Sequence, residues 1–271
     1  MTDCHKENLC DWVNEDCDLP TRVLQEKFRD EFGFSPSSST IDRAVRGFHY
    51  TMKRTKPIPE RRNCVKTIED RFIYAANIYR YRNSGRPMFF LDEFGISVST
   101  RPSYGRSPLG QPAYKKVASI RSKNFSVEAI MSTEGIYFFE VMNVAHNVEH
   151  FEQFLVRVVN FFIRDGIQNA VVVMDNVQFH KDKNKTAENL LAAHGHTIFY
   201  LPPYSPFLNP IENVFSQWKH YVKQSNSKDE QQLRQNIDKA HEKITSDQCK
   251  SYIRHMTTYL DRCIRREHIE D

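Results

Sequence analysis

No apolar run in this chain approaches the length of a membrane span, and the first residues, MTDCHKENLC, are polar and acidic, unlike a signal peptide. The expectation is a protein without a membrane partner, nuclear in a eukaryote and otherwise cytoplasmic. Cysteine pairs are lacking too. The six cysteines, at 4, 10, 17, 64, 249 and 263, form no C-x-x-C. A secreted disulfide framework is therefore not indicated, and Cys4, His5, Cys10 and Cys17 fit no common zinc module. Free thiols, several of them buried, are expected. Strong net charge is also missing: +4 over 271 residues says little about partners.

What is present is ordinary globular material, 39% hydrophobic and 27% charged, enough for one or two domains. The charge is segregated. Residues 1–18 hold six acids against one lysine, residues 43–66 hold eight Lys/Arg against Glu60 alone, and residues 101–127 hold six Lys/Arg and no acid. Basic stretches of this kind suit the phosphates of double-stranded DNA, although solvated loops explain either stretch alone equally well.

Residues 9–50 read as a small helical module. Thr21 to Phe32 puts Leu24, Phe28 and Phe32 on one stripe, and Gly33-Phe34-Ser35-Pro36 breaks it. Ser39 is placed to cap a second helix, with Asp42 as its capping-box partner. That helix carries Ile41, Ala44, Val45 and Phe48 on one side and Arg43, Arg46 and His49 on the other. Two helices across a Gly-containing turn fit a helix-turn-helix, and many helical hairpins look similar and bind nothing. The run that follows, with Lys53, Arg54, Lys56, Arg61 and Arg62, tilts the reading toward DNA and doubles as a linker. A helix over 67–81 places Ile68, Phe72, Ala75 or Ala76, and Tyr79 on one face.

From Met88 the pattern alternates. Strands are predicted at 88–94, near 113–120, at 125–132, 136–143, 170–175 and 197–201. Helices are predicted at 147–164, 185–194 and from Pro210 onward. Antiparallel strands followed by strand–helix–strand crossovers give an α/β class: a mixed sheet flanked by helices, preceded by a small all-α module and followed by C-terminal helices. The corresponding division is 1–52, 53–87, 88–225 and 226–271.

Three carboxylates stand out. Asp92 ends the apolar start of MFFLDEFGIS, and alone it reads as a turn-capping aspartate. Asp175 ends VVVM, at the carboxyl end of a strand where open α/β sheets bind ligands. Glu212 lies in the first turn of the helix after Asn209-Pro210, where Asn as N-cap, Pro at N1 and Glu at N3 would make an ordinary helix start. Two strand-end aspartates plus a helix-borne glutamate together suit divalent ions doing phosphoryl transfer. Glu93 points to the opposite side of its strand from Asp92 and is given an outer role or none.

The strings LDEFGIS, RPSYGRSPLGQ, VVVMDNVQFH and YLPPYSPFLNPIENVFSQWK, in this order, resemble the catalytic domain of mariner-type DDE transposases and their bacterial insertion-sequence relatives. The resemblance is close over 88–225 and looser before it. It implies an RNase H-like fold with Asp92, Asp175 and Glu212 as the catalytic carboxylates and the ligands of two Mg²⁺ or Mn²⁺ ions. The 36 residues between the last two are slightly more than the family usually shows. Asn176, His180 and Asn209 are candidates to support that site. Arg101, Tyr104, Arg106, Lys115 and Lys116 lie in a segment expected near DNA or a partner subunit.

The implied activity is cut-and-paste transposition by a homodimer: cleavage at transposon ends, then strand transfer into TA targets. Two departures are visible. Phe207 stands where the family usually carries an acid. Only 87 residues precede Met88, room for one helix-turn-helix unit where intact members usually have two. The competing expectation is a truncated or domesticated DNA-binding derivative without transposition activity. A different RNase H-like nuclease is disfavoured by the YSPFLNPIE loop.

Overall fold

The apolar stretch around Phe89–Leu91 forms the front half of β1 (Met88–Ser97), the central strand of a five-stranded sheet. The computed structural model describes residues 1–53, 55, 57–98, 106–114, 124–143, 147–176 and 186–270. On one side β1 pairs antiparallel with β2 (Asn124–Ser132), which pairs antiparallel with β3 (Gly135–Met142). On its other side β1 runs parallel to β4 (Val171–Met174), and β4 parallel to β5 (Thr197–Tyr200). The order is β3-β2-β1-β4-β5, a mixed RNase H-like sheet. Of the strand expected near 113–120, only residues 113 and 114 are described, and they lie in no strand.

Strand alternation sorts the core into two faces. Phe89, Leu91, Val172 and Met174 meet Phe151, Phe154, Leu155, Val158 and Phe162 of the long helix Val148–Arg164. Helix Thr186–Ala193 joins the same face through Ala187 and Leu191. On the other face, Phe90, Phe94, Val127, Ala129 and Val173 meet helix Ile211–Gln224 through Ile211, Val214, Phe215 and Trp218. Helices Glu230–His241 and Ser246–Ile264 extend that core through Leu233, Ile237, Met256 and Leu260. Numbering the helices in chain order, with Asp3–Glu15, Thr21–Phe32, Ser38–Gly47 and Val65–Asn83 as α1 to α4, these five are α5 to α9.

The chain divides into two compact units, Met1–Ile58 and Pro59–Asp271. In the first, α1, α2 and α3 share a core of Leu9, Leu24, Phe28, Ile41 and Ala44. The sequence did not announce α1, because its apolar stripe is thin and Asp3, Glu7, Asp11 and Glu15 crowd it. A Thr2–His5 capping box starts it. The cap of α3 is Ser37, which accepts from the Thr40 N–H at 3.3 Å, not Ser39. Phe48, expected on the buried stripe, falls at the C-cap of α3 and is exposed.

In the second unit the division expected from sequence gives way. Neither 53–87 nor 226–271 is an appendage, since α4, α8 and α9 share the core of the sheet. The α4 face is also rotated from the expected one. Thr67, Arg71, Tyr74, Ala75 and Ile78 are buried, and Ile73 is exposed. Glu69–Arg266, Tyr79–Asp261 and Arg82–Thr257 tie α4 to α9 and its C-terminal flank. All six cysteines are free, with Cys10, Cys249 and Cys263 buried. Among the described residues no helix is long and apolar enough to cross a membrane.

Trp218 links the sheet to α8. Its ring lies at 5.5 Å from Phe94 and 5.1 Å from Phe139, and its indole N–H donates to Ile237 O at 2.9 Å. Trp218→Ala is expected to cost about 3–5 kcal/mol. Urea unfolding checks this, and a loss below about 1 kcal/mol would show that the site is not the keystone of this face.

Candidate active site

Asp92 does not end its strand. β1 continues to Ser97 beside β2, but its pairing with β4 stops at Phe90↔Val173. Asp92 therefore lies mid-strand on one edge and beyond the β4 pairing on the other. Asp175 follows Met174, the last residue of β4. Each aspartate is two residues beyond one member of the pair Phe90↔Val173. With a side-chain period of two, both lie on the face of Phe90 and Val173, which is the face packed by α7. Glu212 is in the first turn of α7. The sheet register and the helix start thus put the three carboxylates on the same side of the sheet, within electrostatic reach of one another.

Asp92 is only 7% exposed. One carboxylate oxygen accepts from the Glu93 backbone N–H at 2.9 Å, and the other accepts from Asn209 Nδ2 at 2.9 Å. Burial first, then the charges of Glu93, Glu212 and Asp175, push its carboxyl up to about 8. Glu212 is exposed at its outer surface, yet burial on its inner side raises its carboxyl, with Asp175 adding to the rise and Lys219 opposing it. The three groups therefore interact electrostatically. They do not reach a common ligand spacing: among the described residues no three His, Cys, Asp or Glu side chains are grouped to hold one ion. Three like charges in one crevice repel, and each sits on a different element.

The donor set fits Mg²⁺ or Mn²⁺. All three groups are hard oxygen donors, and a bound cation would favour the ionised form of the Asp92 and Glu212 carboxyls, which burial and the neighbouring carboxylates raise. Asn209 matters more than the helix-start reading allowed. It is 1% exposed, makes no side-chain cap to α7 although its carbonyl accepts from the Glu212 N–H at 3.2 Å, and spends its side-chain amide on Asp92. Pro210, already helical at φ −65° and ψ −18°, starts α7 without a side-chain cap.

Lys219 escaped the sequence reading. It lies seven residues after Glu212, two turns along the same helix face, and its ammonium sits 5.0 Å over the Phe94 ring. The spacing from Glu212 was the available signal. Glu93 faces the other side of the sheet, in a cross-strand row with Glu128 and Glu140 that ends on Arg157.

Asn176 is exposed, one residue past Asp175. His180, Arg54, Lys56, Arg101, Tyr104, Lys115 and Lys116 lie outside the described residues. Arg43, Arg46, Lys53, Arg61 and Arg106 are exposed, and Arg46 pairs with Asp42 at 3.0 Å. Arg62 is half-buried, with its guanidinium 5.2 Å over the Phe207 ring, so it is a packing residue as much as a surface cation.

The structure is similar to the Mos1 transposase paired-end complex with left transposon end, at TM-score 0.75 and 17% identity, over 96% of this chain and 77% of that one. It is similar to the Mos1 strand transfer complex at TM-score 0.76 and 17% identity, over 98% of this chain and 79% of that one. The catalytic domain of Mos1 mariner transposase matches at TM-score 0.59 and 13% identity, over 80% of this chain and all of that one. A search of curated protein sequences finds no match. The family described as DDE superfamily endonuclease matches residues 87–234, more than half of the chain. By that match, the chain belongs to the DDE superfamily of endonucleases.

Proposed function

We propose that the protein is a metal-dependent DNA transposase that cleaves phosphodiesters at transposon ends and joins them to target DNA, with TA targets implied by the mariner-type resemblance. The observation that carries this reading is the placement of Asp92, Asp175 and Glu212 on one face by the β1–β4 register and the start of α7. Those three side chains would hold two Mg²⁺ or Mn²⁺ ions. Such ions polarise a phosphoryl oxygen and stabilise the attacking and leaving oxygens of an in-line displacement.

The chain's own residues supply the rest. Asn209 and the Glu93 N–H fix the Asp92 carboxylate, so it need not reorganise when substrate arrives. Asp175 and Glu212 approach from a strand end and a helix start, which leaves the strand-end crevice open to a DNA strand. Lys219 places positive charge on the same helix face as Glu212. Mos1 structures include complexes with Mn and with Mg and a transposon-end complex, which supports the same ions and the same substrate class here. A homodimer acting on paired ends, in the nucleus of a eukaryote or the cytoplasm of a prokaryote, completes the proposal.

The test is nicking and strand transfer on end-containing duplexes with Mg²⁺, with Mn²⁺ and with EDTA. Cleavage with either metal and none in EDTA is the expected result. Cleavage that persists in EDTA overturns the proposal.

For the helical unit Met1–Ile58 we propose DNA contact through the exposed face of α3 and the residues after it. Lys53→Ala is expected to lower the salt slope of binding by about one unit and to weaken all duplexes alike. Arg43→Ala is expected to change which duplex is preferred. Titrations on end-containing and scrambled duplexes at several salt concentrations read both. A salt slope unchanged by Lys53→Ala would remove that residue from the phosphate contacts.

A further inference from the structure

Arg71 is a buried cation with too few acceptors. It is 1% exposed, and among the described residues only Nη2 finds a hydrogen-bond partner, Asn63 Oδ1 at 3.0 Å. Its Nε and Nη1 are buried without one among the described residues. An arrangement of this kind is costly unless something else faces the guanidinium. What faces it is Phe207: the Arg71 guanidinium lies 5.9 Å from the centre of that ring, and the Arg62 guanidinium 5.2 Å. Tyr259 of α9 packs on the same ring at 4.9 Å. Two cations from the α4 region and one aromatic from the C-terminal helix therefore grip a single side chain.

That side chain belongs to the 3-10 turn Pro206–Leu208, and the next residue is Asn209. Leu208 is fully buried in the core below, and the Asn209 N–H bonds back to Pro206 O at 2.9 Å. The turn is thus short and internally bonded, so a shift of the Phe207 ring carries Asn209 with it. Asn209 Nδ2 in turn holds Asp92. A continuous set of contacts runs from α4 and α9 through Phe207 and Asn209 to the buried carboxylate.

We propose that Phe207 is a positioning residue for the carboxylate site: the Arg62–Arg71–Tyr259 grip on its ring sets where Asn209 holds Asp92. The proposal rests on the functional reading above for its consequence, but the coupling itself is a property of the folded chain. The helices outside the sheet thereby help to place the reactive group inside it.

The experiment is a double-mutant cycle on the full chain with two readouts, urea unfolding without metal and Mn²⁺ affinity by calorimetry. Phe207→Ala and Asn209→Ala are each expected to weaken Mn²⁺ binding about tenfold, the scale of residues that orient metal ligands. The double variant is expected to be little weaker than either one, and the unfolding effects are expected to be non-additive. Phe207→Tyr keeps the ring and is expected to bind Mn²⁺ within about twofold of wild type. Phe207→Leu keeps bulk without the ring and is expected to behave like Phe207→Ala.

Ile253→Ala, in α9 away from this contact chain, controls for stability loss alone and is expected to leave Mn²⁺ affinity unchanged. Additive effects in the cycle, or Phe207→Leu binding Mn²⁺ as wild type does, would overturn the positioning role. Failure of the wild type to bind Mn²⁺ or to cut DNA, with non-additive unfolding intact, would remove the functional reading and leave the coupling standing.

Discussion

Asp175→Asn is expected to lower metal-dependent DNA nicking by about a thousandfold or more and to leave DNA binding within about twofold. The carboxylate stands just past the end of β4, on the face of the sheet that carries Asp92 and α7. It is a metal donor in this account and not a phosphate contact. Metal stabilisation of transition-state charge contributes several kcal/mol, and each 1.36 kcal/mol is a factor of about ten in rate, which sets the thousandfold scale. Asparagine keeps the size and much of the hydrogen bonding, so the fold has little reason to change. Single-turnover cleavage beside a binding titration separates the two effects. Equal losses of both would assign Asp175 to folding or to DNA contact.

Metal-free stability is expected to fall as pH rises, with Asp92 as a main cause. Its carboxyl ordinarily ionises at 3.8, and in the folded chain it is pushed up to about 8 by burial, Glu93, Glu212 and Asp175. Between those values the folded state holds a proton that the unfolded state has released. The extra stability is therefore complete below the unfolded value and is lost as pH climbs toward 8, at up to about 1.4 kcal/mol per pH unit. His196 tilts the other way below its ordinary 6.5, because burial lowers its pKa. The readable quantity is therefore the difference between wild type and Asp92→Asn.

That variant has no ionisation at 92, and its metal-free stability is expected to overtake wild type as pH rises from 5 to 8. Mg²⁺ is expected to raise the wild-type melting temperature more at pH 8 than at pH 5, where it competes with the proton on Asp92. Thermal unfolding at both pH values, with and without Mg²⁺, tests this. Parallel pH profiles for the two proteins would show that Asp92 does not carry the charge strain.

Most of this architecture can be read from periodicity. The β-branched run before Asp175 and the Val214, Phe215, Trp218, Val222 stripe are strong local signals, and they appear as β4 and the buried face of α7. What escaped is what depends on distant partners. Arg71 looks like a solvent-facing position on α4, and its partners in the fold are the Asn63 side chain and the Phe207 ring, the latter far along the chain. Asn209 before Pro210 has the form of a helix cap, and only the folded sheet reveals Asp92 as its partner. Asp92 looks like a strand end because its polar neighbour interrupts the apolar run. Pairing with β2 carries the strand on to Ser97 regardless. Phe207 breaks the expected family pattern in a way that composition alone cannot interpret. In the structure it fills the space between two guanidinium groups and Tyr259.

Asp92, Asp175 and Glu212 are expected to hold the reactive metal ions together. The most direct measurement is anomalous diffraction from crystals of the full chain soaked in Mn²⁺. Two manganese peaks are expected, about 3.5–4 Å apart, each bounded by at least one of these carboxylates, and both are expected to be lost in Asp175→Asn. Manganese bound only elsewhere on the surface, or peaks that persist unchanged in Asp175→Asn, would contradict it.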